Sequence, residues 1–111
     1  MPAQKDTLLA QSNTAEAFGI KVVDLNHALL KQYGYPSGIE GVVMVDVDPG
    51  SRAATKGLQI GDLIVEINGQ KIVNIQNYKE IMDRVIKSKK EKILLHIVRS
   101  QEYSYVVLPL K

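Results

Sequence analysis

Hydrophobic and polar residues follow two different periods along the chain from Phe18 onward. Short runs rich in β-branched residues, such as 41–47 (GVVMVDV) and 63–67 (LIVEI), are typical of buried strands. Residues 75–87 instead predict the one long helix, because apolar side chains recur there at helical spacing with charged side chains between them: Tyr78, Ile81, Met82, Val85 and Ile86.

Caps and turns divide the rest of this region into shorter elements. A helical stripe over residues 25–33 predicts a second helix, with Asp24 as its N-cap. Asn68-Gly69 is a strong hairpin signal, and residues 93–108 predict two further strands joined by a hairpin-length connection. The whole pattern predicts a small, mostly antiparallel α+β domain with five or six strands and two principal helices.

The first sixteen residues differ in composition from the rest of the chain. They are rich in Ala, Gln, Ser, Asn and Thr, and Leu8-Leu9 is their only apolar pair. Such a composition is typical of a solvated segment. We therefore expect a flexible linker or tail over residues 1–16 and one folded domain over residues 17–111, since a chain of 111 residues has room for a single domain.

The charge balance narrows the classes of partner. The chain has 14 basic and 12 acidic residues, a net charge of +2, which does not favour nucleic acid or an anionic membrane surface. The lysine-rich residues 87–92 contain Glu91 and no aromatic side chain, so we interpret them as a solvated turn rather than a phosphate-binding site.

The absence of cysteine excludes disulfides, thiol catalysis and thiolate metal sites. No apolar run approaches the ~20 residues that a membrane-spanning helix needs, so direct membrane insertion is not expected. The first residues lack the basic-then-apolar pattern of a secretion signal, as expected for a cytosolic chain or for a fragment.

Few side chains are able to carry catalysis or bind a metal, and simpler roles explain them. Ser51 is explained as the N-cap of a very short helix, although spacing alone leaves a pairing with His27 open. The adjacent Ser88 and Lys89 lie in the predicted solvated turn, without the desolvated pocket that a serine–lysine pair needs. The two histidines, His27 and His96, are far apart in sequence. We therefore expect no catalytic residue, no metal and no cofactor.

One segment has the features of a binding site made of backbone groups. Residues 17–20 (AFGI) place a glycine between two apolar residues, directly before a strand. Successive N–H groups around such a glycine form a nest that receives a carboxylate. If the following strand lies at a sheet edge, it can accept an incoming peptide strand, with the long helix closing the groove. An ordinary first strand with a flexible entry explains the segment equally well, so both interpretations stay open.

Several short motifs follow one another in a specific order between Phe18 and Leu110. They are FGIKVVDL at 18–25, LLKQYG at 29–34, GVVMV at 41–45, DPGSRAA at 48–54, GLQIGDLI at 57–64 and ING at 67–69. In this order the sequence resembles the PDZ domains of the bacterial, circularly permuted kind found in HtrA/Do (Deg)-type serine proteases. The resemblance implies a PDZ-like, partly open antiparallel β-sandwich or barrel of five to six strands with two main helices.

The resemblance also implies a peptide-binding site. Its carboxylate-binding loop would consist of Ala17, Phe18, Gly19 and Ile20. The strand that pairs with the peptide would continue through Lys21, Val22 and Val23.

The long helix would form the opposite wall of this site. Its groove-facing residues would be Ile75, Lys79, Met82 and Ile86, while Tyr78, Ile81 and Val85 would face the core. An apolar pocket for the last side chain of the peptide would be lined by Phe18, Ile20, Met82 and Ile86.

The function implied by the resemblance is that of a non-catalytic module of a serine endopeptidase. It would capture C-terminal or exposed hydrophobic peptide segments by β-strand addition, for substrate recognition or protease regulation. Its partners would be peptides or unfolded segments with apolar C-termini, together with the protease domain and other protomers of the parent protein. The alternatives are an assembly module with an unused groove, and the PDZ domain of another processing or intramembrane protease. The resemblance points to an extracytoplasmic location, in the periplasm or cell envelope.

Overall fold

The computed structural model describes residues 14–110, which form seven strands and three helices. The strands are β1 (Thr14–Ala17), β2 (Ile20–Asp24), β3 (Val42–Val47), β4 (Leu63–Ile67), β5 (Gln70–Lys71), β6 (Lys92–Arg99) and β7 (Glu102–Pro109). The helices are α1 (His27–Tyr33), α2 (Arg52–Thr55) and α3 (Ile75–Lys87).

The strands form one antiparallel sheet in the order β1-β2-β3-β4-β6-β7, with β5 paired to β4. The predicted α+β class and antiparallel arrangement are therefore confirmed. The described residues contain one strand more than the upper estimate, because β1 precedes the first strand that the pattern predicts.

The sheet has a hydrophobic core on each face, because side chains alternate between the two faces of a strand. Val42 and Ile64 lie in the larger cluster, whereas their neighbours Val43 and Leu63 lie in the smaller one. Helix α3 covers the larger cluster with five buried side chains: Ile75, Tyr78, Ile81, Met82 and Val85. Partly buried leucines of α1 pack against the smaller cluster.

The predicted cap of the first helix is wrong. Asn26 is the N-cap of α1, and its side-chain oxygen accepts a hydrogen bond from the Leu29 N–H at 2.9 Å. Asp24 lies two residues earlier, at the end of β2, and its carboxylate accepts from the Ile75 N–H of α3 at 2.5 Å. Ser51 caps α2 as predicted, accepting from the Ala54 N–H at 3.2 Å.

A buried ion pair joins the turn before β4 to the end of β6. The Asp62 side chain is 1% exposed, and its two oxygens accept from Arg99 Nε at 2.7 Å and Nη2 at 2.8 Å. The Gln59 N–H donates to the same carboxylate at 2.9 Å. The hydrogen bond to Asp62 raises the pKa of the Arg99 guanidinium above its usual value. Every oxygen of this buried carboxylate thus has a donor, as a buried charge requires.

Candidate functional site

The predicted carboxylate-binding loop is a tight turn between β1 and β2. Phe18 has φ 55° and Gly19 has φ 84°, while Ala17 and Ile20 form the pair that closes the hairpin. Positive φ at both central residues is the signature of a two-residue type I′ turn. The Gly19 carbonyl accepts from the Asp48 N–H at 2.8 Å, which fixes the turn against the loop that leads to α2.

Gly19 also lies against the N-cap of α2. A Cβ atom at this position would be 2.4 Å from Ser51 Cβ and 2.8 Å from Ser51 Oγ. Only glycine therefore fits both the positive φ and the close approach.

The predicted peptide-pairing strand lies inside the sheet. Strand β2 pairs with β3 on one side and with β1 on the other, where the register runs from Thr14↔Val23 to Ala17↔Ile20. The condition for strand addition, an open edge on this strand, is therefore not met while β1 is paired with β2. The reason is the type I′ turn, which folds the preceding residues back onto β2.

Strand β1 moves the N-terminal boundary of the folded domain to an earlier residue than expected. Residues 1–13 of the expected tail lie outside the described residues, but Thr14, Ala15 and Glu16 belong to β1. The expected start of the domain at residue 17 thus falls at the last residue of a strand.

Strand β1 occupies the space beside β2 that faces α3, which we call the β2–α3 groove. β1 pairs with β2 and also contacts α3. Ala15 and Ala17 pack against the larger core cluster, whereas the Glu16 side chain between them is exposed. The segment therefore presents two methyl groups to the interior of the groove and a carboxylate to solvent.

The residues of α3 that were expected to face the groove divide into two groups. Ile75 and Met82 are 4% and 5% exposed and belong to the same core cluster as Ile20. Ile86 is 52% exposed, and Lys79 is half-buried. The structure thus brings Ile20 and Met82 together in the core and leaves Ile86 outside it.

A cavity of about 450 Å³ lies between the β1–β2 turn and the C-terminal half of α3. Its lining consists of Ala17, Phe18, Val85, Ile86, Lys89, Lys90 and Leu110. Phe18 and Ile86 are the two residues of the predicted terminal pocket that line it; Ile20 and Met82 do not. The lining combines apolar residues with two lysines, which suits an apolar group that carries a negative charge.

Lys89, Lys90 and Leu110 line the cavity although the sequence pattern does not predict it. The pattern predicts a solvated turn for the lysines, and they are exposed. Leu110 comes to the cavity because its N–H donates to the Glu91 carbonyl at 2.7 Å, which holds the end of the chain beside the residues after α3. Lys89 has φ 54°, but its sequence position alone does not predict a left-handed residue.

Of the side chains considered for catalysis or metal binding, Ser51 and His96 have structural contacts and His27 is exposed. The Ser51 hydroxyl donates to the Asp48 carbonyl at 2.7 Å, and His27 is exposed at the first position of α1. The His96 ring stacks on Tyr105 with ring centroids 4.2 Å apart, and its Nδ1 lies 3.6 Å from the Glu66 carboxylate.

The described part of the chain contains no cluster of three or more His, Cys, Asp or Glu side chains able to hold a metal ion. None of its helices has both the length and the apolar character needed to cross a membrane.

Known proteins are similar to this chain in sequence and in fold. A probable periplasmic serine endoprotease, DegP-like, from Brucella suis biovar 1 (strain 1330) is 29% identical over 100 residues, which are 90% of this chain and 17% of that protein. The chain therefore spans about a sixth of the length of this relative.

Two solved structures have the same fold. The HtrA3 PDZ domain bound to a phage-derived ligand (FGRWV) superimposes with a TM-score of 0.67 at 23% identity, covering 87% of this chain and 86% of that one. The HtrA-type protease AlgW with a decapeptide has a TM-score of 0.68 at 23% identity, covering 86% of this chain and 29% of that one.

The sequence model of the PDZ domain family matches residues 7–98, most of the chain. The protein is thus a member of the PDZ domain family, related to the PDZ domains of DegP/HtrA serine proteases.

Proposed function

We propose that this domain binds C-terminal or exposed apolar peptide segments, as the PDZ module of an HtrA/Do-like serine protease. The observation that carries the proposal is the cavity beside the β1–β2 turn, which is lined by Phe18 and Ile86 together with Lys89 and Lys90. A peptide C-terminus is complementary to this lining, because it presents an apolar side chain and a carboxylate.

In this proposal the binding site has three parts. The turn residues Ala17, Phe18, Gly19 and Ile20 receive the terminal carboxylate through their N–H groups, and the lysines add favourable charge. Lys21, Val22 and Val23 of β2 pair with the peptide backbone after β1 has left this edge. On α3, Ile86 contacts the last side chain of the peptide, while Ile75, Lys79 and Met82 support the wall of the groove.

The comparisons support this class of ligand by likeness. The HtrA3 PDZ domain carries a phage-derived pentapeptide and AlgW a decapeptide. We infer that this domain takes peptides of the same general class and serves a larger protein in substrate recognition or regulation. The partner protease domain, other protomers and a periplasmic or cell-envelope location are inferred from the names of the relatives.

A second candidate function is an assembly module that uses no external peptide. It is favoured by the pairing of β1 along the outer edge of β2, since the chain itself then makes the backbone contacts that a peptide needs.

An NMR titration separates these two functions. The probe is the peptide FGRWV with a free C-terminus, and the control is the same peptide amidated at its C-terminus. Terminus recognition predicts chemical-shift changes in residues 17–23 and 82–90 that are lost on amidation. An assembly module predicts no change with either peptide, and that result would contradict the proposed function.

A pair of matched variants locates the binding site. Ile86→Glu places a carboxylate in the cavity wall and is expected to weaken binding about tenfold or more, because it repels the terminal carboxylate and removes apolar contact. Ile60→Glu is the control, since Ile60 is similarly exposed at 56% and does not line the cavity. Equal affinities of the two variants would exclude the cavity as the site.

A further inference from the structure

We propose that β1 is an internal occupant of the β2–α3 groove, so that a peptide binds by exchanging with residues Thr14–Ala17. This inference rests on the proposed function, because it concerns how a ligand enters that same site. It makes peptide affinity depend on the equilibrium between docked and released β1.

The direction of β1 matches that of the proposed ligand. Strand β1 runs antiparallel to β2, and its last residue, Ala17, lies directly before the turn. A peptide with its C-terminus at the turn runs in the same direction and uses the same edge of β2. Two strands cannot pair with one edge at once, so docked β1 and bound peptide exclude each other.

The side chains of β1 make it a weak occupant. All four of its residues pair with β2, from Thr14↔Val23 to Ala17↔Ile20, so an incoming strand replaces backbone pairs of the same kind. The inward contacts of β1 are those of Ala15 and Ala17, each with a single methyl group. A ligand with a larger apolar side chain at either of these two positions buries more apolar surface there, which favours displacement of β1.

The turn that docks β1 is itself strained. Phe18 has φ 55°, a left-handed conformation that is unfavourable for a residue with a Cβ atom. Release of β1 frees Phe18 from this conformation, which favours the exchange. Any contact that holds the N-terminal segment in the groove therefore lowers peptide affinity. Because the two equilibria are linked, a bound peptide lowers the affinity of that segment for the groove by the same factor.

A reversible covalent lock tests the exchange directly. Glu16 and Lys21 are opposite each other in the β1–β2 pair, and both are exposed. Directly opposed residues of antiparallel strands lie within the range of Cα separations that a disulfide spans. The chain has no cysteine, so the double variant Glu16→Cys/Lys21→Cys forms a single defined disulfide that holds β1 against β2.

The affinity of this one variant for FGRWV is measured in its oxidised and in its reduced form. The wild-type chain, measured with and without the reductant, is the control for effects of the reductant itself. The exchange predicts that the oxidised form binds at least about tenfold more weakly than the reduced form, because the competent state is no longer populated. Equal affinities of the two forms would overturn the inference. The peptide would then bind without pairing with β2, and the proposed capture of peptides would itself stay intact.

A second pair of variants acts in the opposite direction. Ala15→Asp places a carboxylate against the core cluster, releases β1, and is expected to tighten peptide binding by up to about tenfold. Glu16→Asp is the matched control on the exposed face of the same strand, with affinity expected within about twofold of wild type. Weaker or unchanged binding by Ala15→Asp would contradict the exchange. If the wild-type chain, the reduced double-cysteine variant and Ala15→Asp all fail to bind FGRWV, both the proposed function and the exchange are wrong.

Discussion

The carboxylate of Asp24, at the end of β2, accepts a hydrogen bond from the backbone N–H of Ile75, the first residue of α3, at 2.5 Å. These two residues are 51 positions apart in sequence and join the two walls of the β2–α3 groove at one end. The contact also places a negative charge at the N-terminus of a 13-residue helix, where the helix dipole favours it.

Removal of this carboxylate is expected to destabilise the domain. Asp24→Ala leaves the Ile75 N–H without its partner and should lower the free energy of unfolding by about 1.5–3 kcal/mol, the range for a hydrogen bond to a charged group. Urea unfolding at pH 7 measures the change. Asp46→Ala is the control, because Asp46 is exposed on β3, and its effect should stay within about 0.5 kcal/mol. Equal effects of the two substitutions would contradict a structural role for the Asp24–Ile75 contact.

Two turns of the chain allow a matched test of the close approach at Gly19. Phe18-Gly19 has φ values of 55° and 84°, and Asn68-Gly69 has 52° and 82°. A Cβ atom at Gly19 meets Ser51 at 2.4 Å, whereas one at Gly69 meets nothing within 4 Å. Gly69→Ala should therefore cost about 1 kcal/mol from backbone strain alone, and Gly19→Ala at least about 2 kcal/mol. Chemical denaturation of both variants checks this order, and the reverse order would show that Ser51 does not restrict the turn.

The Asp62–Arg99 pair should be sensitive to loss of its cation. Arg99→Ala removes two donors from a carboxylate that is 1% exposed, so we expect a loss of about 2–3 kcal/mol. This figure is below the full range for buried pairs because the Arg99 side chain is itself 45% exposed. Arg84→Ala, at an exposed position of α3, is the control and should change thermal stability little. An Arg99→Ala variant with unchanged thermal stability would mean that water replaces the lost donors.

Stability should fall in alkaline solution because two tyrosines are buried. Burial raises the pKa of both the Tyr78 and the Tyr35 phenol above the usual value of 10.0, and the charge of Asp62 contributes at Tyr35. Above pH 10 the unfolded chain loses these protons while the folded chain keeps them, so the free energy of unfolding decreases as the pH rises. Well below pH 10 both states keep these phenolic protons, and no change from this source is expected there.

Tyr78→Phe tests the contribution of one phenol. The variant should lose stability less steeply than wild type between pH 10 and pH 11.5, as measured by urea unfolding across that range. Tyr103→Phe is the control, since the Tyr103 side chain is 54% exposed and its removal should leave the slope unchanged. Identical slopes for wild type and Tyr78→Phe would contradict the raised pKa of the Tyr78 phenol.

Most of the local elements could be predicted from sequence alone. The apolar stripe of α3, the Ser51 cap and the Asn68-Gly69 hairpin each depend on residues close in sequence, and the structure contains all three. The lining of the predicted pocket for the last peptide side chain could be predicted only in part. Phe18 and Ile86 line the cavity, but Ile20 and Met82 are taken up by the core because α3 packs closely against β2.

The period of each element, the turn chemistry and the order of motifs can be read from the sequence, because these depend on side chains within a few residues of one another. The partners of these elements depend on the tertiary structure. Asp24 and Asn26 are both suitable caps for α1, and Asn26 takes that role while the start of α3 lies beside Asp24. The residues of β1 show no strand pattern of their own. They form a strand because the turn at Phe18-Gly19 returns them to β2, whose backbone groups on that edge need hydrogen-bond partners.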